Sequence, residues 1–531
     1  MRKRFLYIAA LAALFASACT KNFDSVNTDP NATSSSSLDP NYLLSYSQWY
    51  YSNTGYNQLL FESMWVQVLS STYGYYSNGD KYVASTNQVS YQDNPWNADY
   101  QAASYTYEMM NLAKEKGKMN LYYVAIIMKN MILQRVTDSY GNVPFSEALK
   151  AKEGLTEPVY DSQDSIYYNM LAQVDSATAN LDASADAITS DLFYGGDIAQ
   201  WKKLGYSLML KMAMRLTKID LGTAKTYAEK AYSGGVFTSI DDNAFVQANN
   251  TNGYTNGTSS ALLVADDFRE VKWSKPFIDY LRTNNDPRLS IIGEIPQAGL
   301  TANNNQSLAG NTDSSVQLGM PNGYDLNGST TDISNAPGYP GATGSGSDAA
   351  PLGNYSRPTV AIFRDKSGPN FIFTYAETEL LLAEAAVRGW SVGSSAAVHY
   401  ANGVAAAMQS LATFNAAAAT ISSATAVAYT TAHPLDVSST TAALKQINEQ
   451  YWITDGTLFN HIEAWINWKR SGYPELTPVV YSNNFTNGTI PRRIPYQSSE
   501  KTSNANNYNA AVALLSGGDN YTSRMWWDAA Q

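Results

Sequence analysis

The chain has one cysteine, Cys19, and three histidines in 531 residues. A lone thiol excludes an intramolecular disulfide and a thiolate metal cluster. His399, His433 and His461 are far apart, and no His-Glu-x-x-His or EF-hand loop occurs, so a metal site has no support and no cofactor is expected. Basic charge is also scarce. Lys+Arg total 35 against Asp+Glu 46, a net charge of -11, so the basic face that nucleic-acid binding requires is missing. Charged residues make up 15%, below the ~25% of ordinary soluble domains. Asn, Ser, Thr and Gly fill the gap. What is abundant is tyrosine: Tyr 38 against Phe 16, with Trp 11. Tyr and Trp pair a flat apolar face with a hydrogen-bonding tip, which suits half-wet binding surfaces. The 44% hydrophobic share is enough for a large core.

Arg2, Lys3 and Arg4 open the chain, and residues 5–15 are apolar but too short to span a bilayer. Ala16-Ser17-Ala18 then precedes Cys19, the pattern of a bacterial lipoprotein signal with Cys19 as the lipidated first mature residue. An ordinary secretory signal cut nearby would instead leave a free thiol. Residues 1–18 are thus expected to be a signal peptide and 19–40 a polar, lipidated tether.

Helical periodicity dominates from there: residues 38–70, 105–116, 121–137, 162–181, 201–219 and 223–232, then 373–389, 396–413, 441–452 and 456–468. Between them, residues 241–369 are rich in Asn, Gly, Ser, Thr and Pro, with only 273–282 helical in pattern. Long ordered loops of this kind are usually functional. Residues 479–494 suggest a short strand pair, and the tail from Gln497 reads as irregular. Recurring amphipathic helix pairs suggest a helical-repeat solenoid. Trp201-Lys202-Lys203-Leu204-Gly205 matches the opening of the tetratricopeptide repeat, though no period of about 34 residues is visible. The expected organisation is a helical domain over 41–481, carrying the loop-rich excursion on one face, and a tail over 482–531 packed on it.

Several motifs occur in a telling order. Asn27-Thr28-Asp29-Pro30-Asn31 follows the cysteine. Asp138-Ser139-Tyr140-Gly141-Asn142-Val143-Pro144-Phe145, Asn285-Asp286-Pro287-Arg288-Leu289 and Tyr375-Ala376-Glu377 through Glu384-Ala385 come next. Glu463-Ala464-Trp465 through Lys469-Arg470-Ser471-Gly472-Tyr473-Pro474 and Ile490-Pro491-Arg492-Arg493-Ile494-Pro495-Tyr496 close the set. Together they resemble the SusD/RagB family, in its divergent SusD-like branch, over nearly the whole mature chain. Lys469 stands where Arg is common, and residues 412–432 look like a local insertion. The resemblance implies an outer-membrane, surface-exposed nutrient-binding lipoprotein of Bacteroidota. It would have an all-α, tetratricopeptide-like fold and no catalytic activity, and would pass oligosaccharides or peptides to a SusC-like TonB-dependent transporter.

A glycoside hydrolase is the alternative, needing two carboxylates across a cleft. Glu377 and Glu384 lie about 10 Å apart along one helix face at ~1.5 Å per residue, which is not a cleft. They are expected to pair with arginines in the core, Arg492 and Arg493 being natural partners. No complete Gly-x-Ser-x-Gly elbow occurs. A protein-binding scaffold is a third reading. The binding signal is aromatic: residues 73–82 hold Tyr73, Tyr75, Tyr76 and Tyr82 in a turn-rich loop with Asp80, and Trp96-Asn97 follow. Aromatic faces pack on the C–H face of a sugar, and Asp, Asn and Arg bond its hydroxyls. In the family resembled, this stretch and the mid-chain loops converge at the ligand face, which nominates Tyr324 and Tyr339 for the opposite wall. The same aromatics could instead be loop anchors. The Tyr and Trp surplus favours a glycan over a peptide.

Overall fold

The computed structural model describes residues 37–85 and 88–529. The signal peptide, Cys19 and nearly all of the tether lie outside the described residues. From Asn41 to the end the chain forms one compact unit. Its frame is a series of helices packed on their sequence neighbours. They are Asn41–Ser52, Gln88–Glu115, Met119–Tyr140, Gln163–Asn180, Ile198–Arg215 and Leu221–Gly234, then Tyr375–Val387, Ala396–Ser410, Thr440–Thr457 and His461–Ser471. This is the helical body expected from periodicity, in the all-α, tetratricopeptide-like form that the resemblance implied.

Local chemistry sets the helix ends. Asp197 caps Ile198–Arg215 by accepting from the Ala199 and Gln200 amides. Thr374 and Glu377 form a reciprocal capping box at the start of Tyr375–Val387. Gly472, at φ 80°, ends His461–Ser471 in the left-handed conformation that glycine adopts without strain. Gly205 lets two helices touch, since a Cβ there would lie 2.1 Å from Thr178 Oγ1. Trp201 is buried, with its Nε1 donating to Asp191 at 2.8 Å.

The structure corrects four expectations. Residues 38–70 are not one helical stretch. After Ser52 they break into Tyr56–Leu60 and Glu62–Trp65 and end in the strand Leu69–Ser71. The helix expected from residue 105 starts at Gln88 and runs through Pro95. Proline cannot donate and crowds the preceding turn. Here the Tyr140 hydroxyl enters the gap, accepting from the Trp96 amide at 3.1 Å and donating to the Gln92 carbonyl at 3.0 Å. Residues 479–494 form no strand pair. The ladders instead join distant segments: Leu69–Ser71 with Val271–Trp273, Val143–Pro144 with Tyr160–Asp161, Ala244–Gln247 with Pro369–Phe373, and Gly293–Glu294 with Arg357–Pro358. The excursion holds several short helices besides Lys275–Thr283, among them Gly257–Leu262, Ala265–Glu270 and Leu289–Ile292.

Charges are buried in pairs. Arg470 grips Glu384 with two bonds at 2.8 and 2.7 Å, and Arg388 adds a third contact. Burial pushes the Glu384 carboxyl up, but Arg470 and Arg388 outweigh it and hold it well below the usual carboxylate range. Glu377 meets Lys211 at 3.0 Å, not an arginine. Asp286 and Arg288 pair within one turn at 2.6 Å. Arg492 and Arg493 do not reach Glu377 or Glu384. They bind Asp528 at 2.6 Å and Asp519 at 2.7 Å in the tail. The tail is therefore built into the fold. It carries the helices Glu500–Ser503 and Ala505–Ala513, and Trp527 is fully buried with its Nε1 donating to Asp138 at 2.9 Å.

Breaking one such pair strands a buried charge, so Arg470→Ala should cost ~3–5 kcal/mol in denaturant unfolding. Glu62 behaves differently. It is buried with one carboxylate oxygen unpartnered, and burial pushes its pKa from 4.5 up to about 8. A raised acid contributes fully below the unfolded pKa and loses that contribution as pH rises through the folded one. Glu62→Gln should thus gain stability over the parent as pH rises from about 4.5 to about 8, as read by thermal melts across that window.

Candidate functional site

Residues 74–80 wind into a single-turn 3-10 helix, Gly74–Tyr76, and the short helix Ser77–Asp80. That winding separates the tyrosines by direction. Tyr73 and Tyr75 stay half-buried, with rings stacked at 5.8 Å and 24°. Tyr75 also meets Tyr56 at 5.6 Å and Tyr91 at 5.7 Å, both edge-on, and its hydroxyl bonds that of Tyr91. Four half-buried tyrosines thus cluster here. Tyr56 sits far upstream in a different helix, which is why the local loop pattern did not reveal it.

Tyr76 turns the other way. It is fully buried, donates to Asp267 at 2.6 Å, and offers no face to a ligand. Burial pushes the Asp267 carboxyl up to about 6 against the bonds from Tyr76 and Tyr56. Trp96 is 6% exposed and closed in by Tyr100, Tyr140, Tyr160 and Tyr496. It packs the proline-containing helix rather than a ligand. Asn97, next to it, is exposed on that helix.

Asp80 is also fully buried, and its part is positional. It accepts from Ser70 Oγ and the Ser71 amide, both at 3.2 Å, on the tyrosine side. From the excursion it accepts from Asn322 Nδ2 at 2.7 Å and the Gly323 amide at 2.8 Å. One carboxylate therefore joins the two segments expected to form opposite walls. Lys81 adds a contact to Asp80 at 3.3 Å and to Asp325 at 3.6 Å. Tyr324 and Tyr339 are half-buried against a small separate core of Met320, Ile333, Ala336, Leu352 and Tyr355. Tyr339 donates to the Pro351 carbonyl at 2.9 Å.

A cleft of about 310 Å³ opens within the excursion, lined by Arg269, Glu270, Asn303, Leu326 and Leu352 among others. That is the low end of the ~300–1,000 Å³ typical of small-ligand sites. Glu270 accepts from Thr72 at 2.9 Å and from Arg269 at 2.9 Å, so the cleft adjoins the Tyr73 segment through bonded side chains. Arg269 offers donors at the cleft, whereas Glu270 already accepts from Arg269 and Thr72, and Asn303 donates to the Gln297 and Gly299 carbonyls. Sequence reading missed them because they lie in short helices without a motif.

A second pocket, about 60 Å³, is lined by Gln134, Lys211, Asn370 and Glu463 among others, with room for a few waters. Nearby, carboxylate oxygens of Glu377, Asp455 and Glu463 lie within 4.8 Å of one another, a spacing a cation could use. Lys211 already sits 3.0 Å from Glu377 and 3.5 Å from Glu463. Burial and the two glutamates push the Asp455 carboxyl well above its usual range.

Because Asp80 is the shared acceptor, Asp80→Asn should raise hydrogen exchange in residues 321–325 before the helical body opens. The global cost should be ~1–3 kcal/mol in denaturant unfolding.

Residues 30–497 match the SusD-like family described as starch-binding associating with outer membrane. Among solved structures, a chitin-binding protein is 31% identical, with a TM-score of 0.76, over 93% of this chain and 100% of its own. A Bacteroidetes SusD-like protein, AC2a, is 25% identical with a TM-score of 0.78 over 93% and 100%. A chitin-binding SusD homolog from Flavobacterium johnsoniae is 23% identical with a TM-score of 0.71 over 92% and 98%, a likeness of fold. No curated protein matches the chain. The matched span takes in the tyrosine loop, the excursion and the motifs that hold the buried ion pairs, and the chain belongs to the SusD-like family of outer-membrane-associated binding proteins, which are not enzymes.

Proposed function

We propose that this protein captures a neutral oligosaccharide on the Tyr73–Tyr75 platform and in the adjoining cleft. It would then deliver it to a SusC-like TonB-dependent transporter while tethered at the cell surface through a lipidated Cys19. The observation that carries this reading is the cluster of half-buried tyrosines joined through Thr72 and Glu270 to a cleft lined by Arg269, Glu270 and Asn303. Stacked rings take the C–H face of a pyranose, and the flanking groups take its hydroxyls. The chitin-binding relative at 31% identity makes N-acetylglucosamine oligosaccharides the first ligands to try. The transporter would cover the open side, so affinity in isolation should be modest.

The test is calorimetry of the soluble form lacking Cys19 against chitin oligosaccharides, other glycans and peptides. Tyr73→Ala and Tyr75→Ala should each weaken glycan binding about three- to tenfold, as expected for the loss of ~0.5–1.5 kcal/mol of ring stacking. Released product would favour a hydrolase. Unchanged affinity in both variants would place the ligand elsewhere. Saturable binding of peptides alone would replace the glycan with a peptide.

A further inference from the structure

Outside the cleft, the helix Asn41–Ser52 exposes tyrosine in a regular row. Tyr42, Tyr46 and Tyr50 are 60%, 50% and 41% exposed. A spacing of four residues places them on one helical ridge, about 6 Å apart per step at ~1.5 Å rise per residue. The twelve residues of this helix include no charged side chain. The neighbouring helix Gln88–Glu115 adds a second ridge of the same spacing, Asn97, Gln101 and Tyr105, of which Asn97 and Gln101 are exposed. The ridges meet: Tyr105 lies 5.8 Å from Tyr46 and 5.7 Å from Tyr50. These rings touch one another rather than Tyr56, Tyr73 or Tyr75.

Charge on this face is already spent. Asp99 is buried and bonded to Arg135. Glu108, the next acid along that helix, is paired with Lys152 at 2.9 Å. What remains exposed is phenol rings, phenol hydroxyls and primary amides. An anionic lipid surface would call for Lys or Arg here. A charged peptide would call for a complementary charge. A row of ring faces flanked by amides and free of charge complements a polymer that is itself uncharged, with C–H faces and hydroxyl rims repeating along its length.

We propose that Tyr42, Tyr46, Tyr50 and Tyr105, with Asn97 and Gln101, form a second binding face that holds a neutral polysaccharide chain apart from the cleft. The inference rests on the glycan reading above and extends it from an oligosaccharide in a cleft to a polymer held along a helix pair. Its consequence is that capture of long or insoluble substrate and binding of short oligosaccharides are separable.

The experiment compares the parent, Tyr42→Ala/Tyr46→Ala, Gln101→Glu and Tyr75→Ala. Each is measured for retention on insoluble chitin beads, for affinity to short chitin oligosaccharides by calorimetry, and for fold by circular dichroism. The double variant should lose about tenfold in bead retention, ~1.4 kcal/mol, while binding oligosaccharide like the parent. Gln101→Glu, which leaves the ring packing in place, should weaken bead retention in the same direction. Equal retention of parent and both face variants overturns the proposal. So does an equal loss of oligosaccharide affinity in the double variant, which would make the face part of the cleft. If the parent binds neither beads nor oligosaccharide, the glycan function fails first and this inference with it. If it binds oligosaccharide but no polymer, only this inference fails.

Discussion

Buried charge pairing is the constraint on which the rest of the structure depends. Helices that pack on their sequence neighbours leave the register between distant segments open, and here ion pairs fix it. Arg470 to Glu384 ties His461–Ser471 to Tyr375–Val387, and Lys211 ties Ile198–Arg215 to the start of Tyr375–Val387. Arg215 reaches both Asp138 and Glu463, joining three helices at one guanidinium. Arg492 and Arg493 draw the last forty residues onto the body. Burying each charge alone would cost several kcal/mol, so every acceptable packing has to bring its partner along. That requirement selects one arrangement from the many that apolar contacts would tolerate.

The same logic, with one carboxylate, builds the candidate site. The tyrosine segment and the excursion are separated by more than two hundred residues, and Asp80 accepts bonds from both. The ladder between Leu69–Ser71 and Val271–Trp273 brings the third part, Arg269 and Glu270, alongside. A site assembled this way needs no continuous motif. The family fold carries it, and loops with few internal constraints are free to shape its far wall.

The sequence by itself determined the helical character, through periodicity and caps. It also determined the binding class, through motifs whose acids and arginines are the very residues that pair inside the core. Those motifs were legible because ion pairing demands particular residue types, not merely apolar ones. That some aromatics of residues 73–82 stay open was legible because a turn-rich loop cannot bury every ring it carries. Only the tertiary structure decided which aromatics those were. Tyr76 differs from Tyr75 by one step of a 3-10 turn, which aims its hydroxyl at Asp267, about two hundred residues away. Trp96 became core because the Tyr140 hydroxyl lets its helix continue past Pro95. The partners of Arg492 and Arg493 lay in a tail whose own pattern looked irregular, since a segment ordered by long-range bonds needs no periodicity of its own. Pair chemistry is local and can be read along the chain; the choice of partner is a distance in space, and only folding sets it.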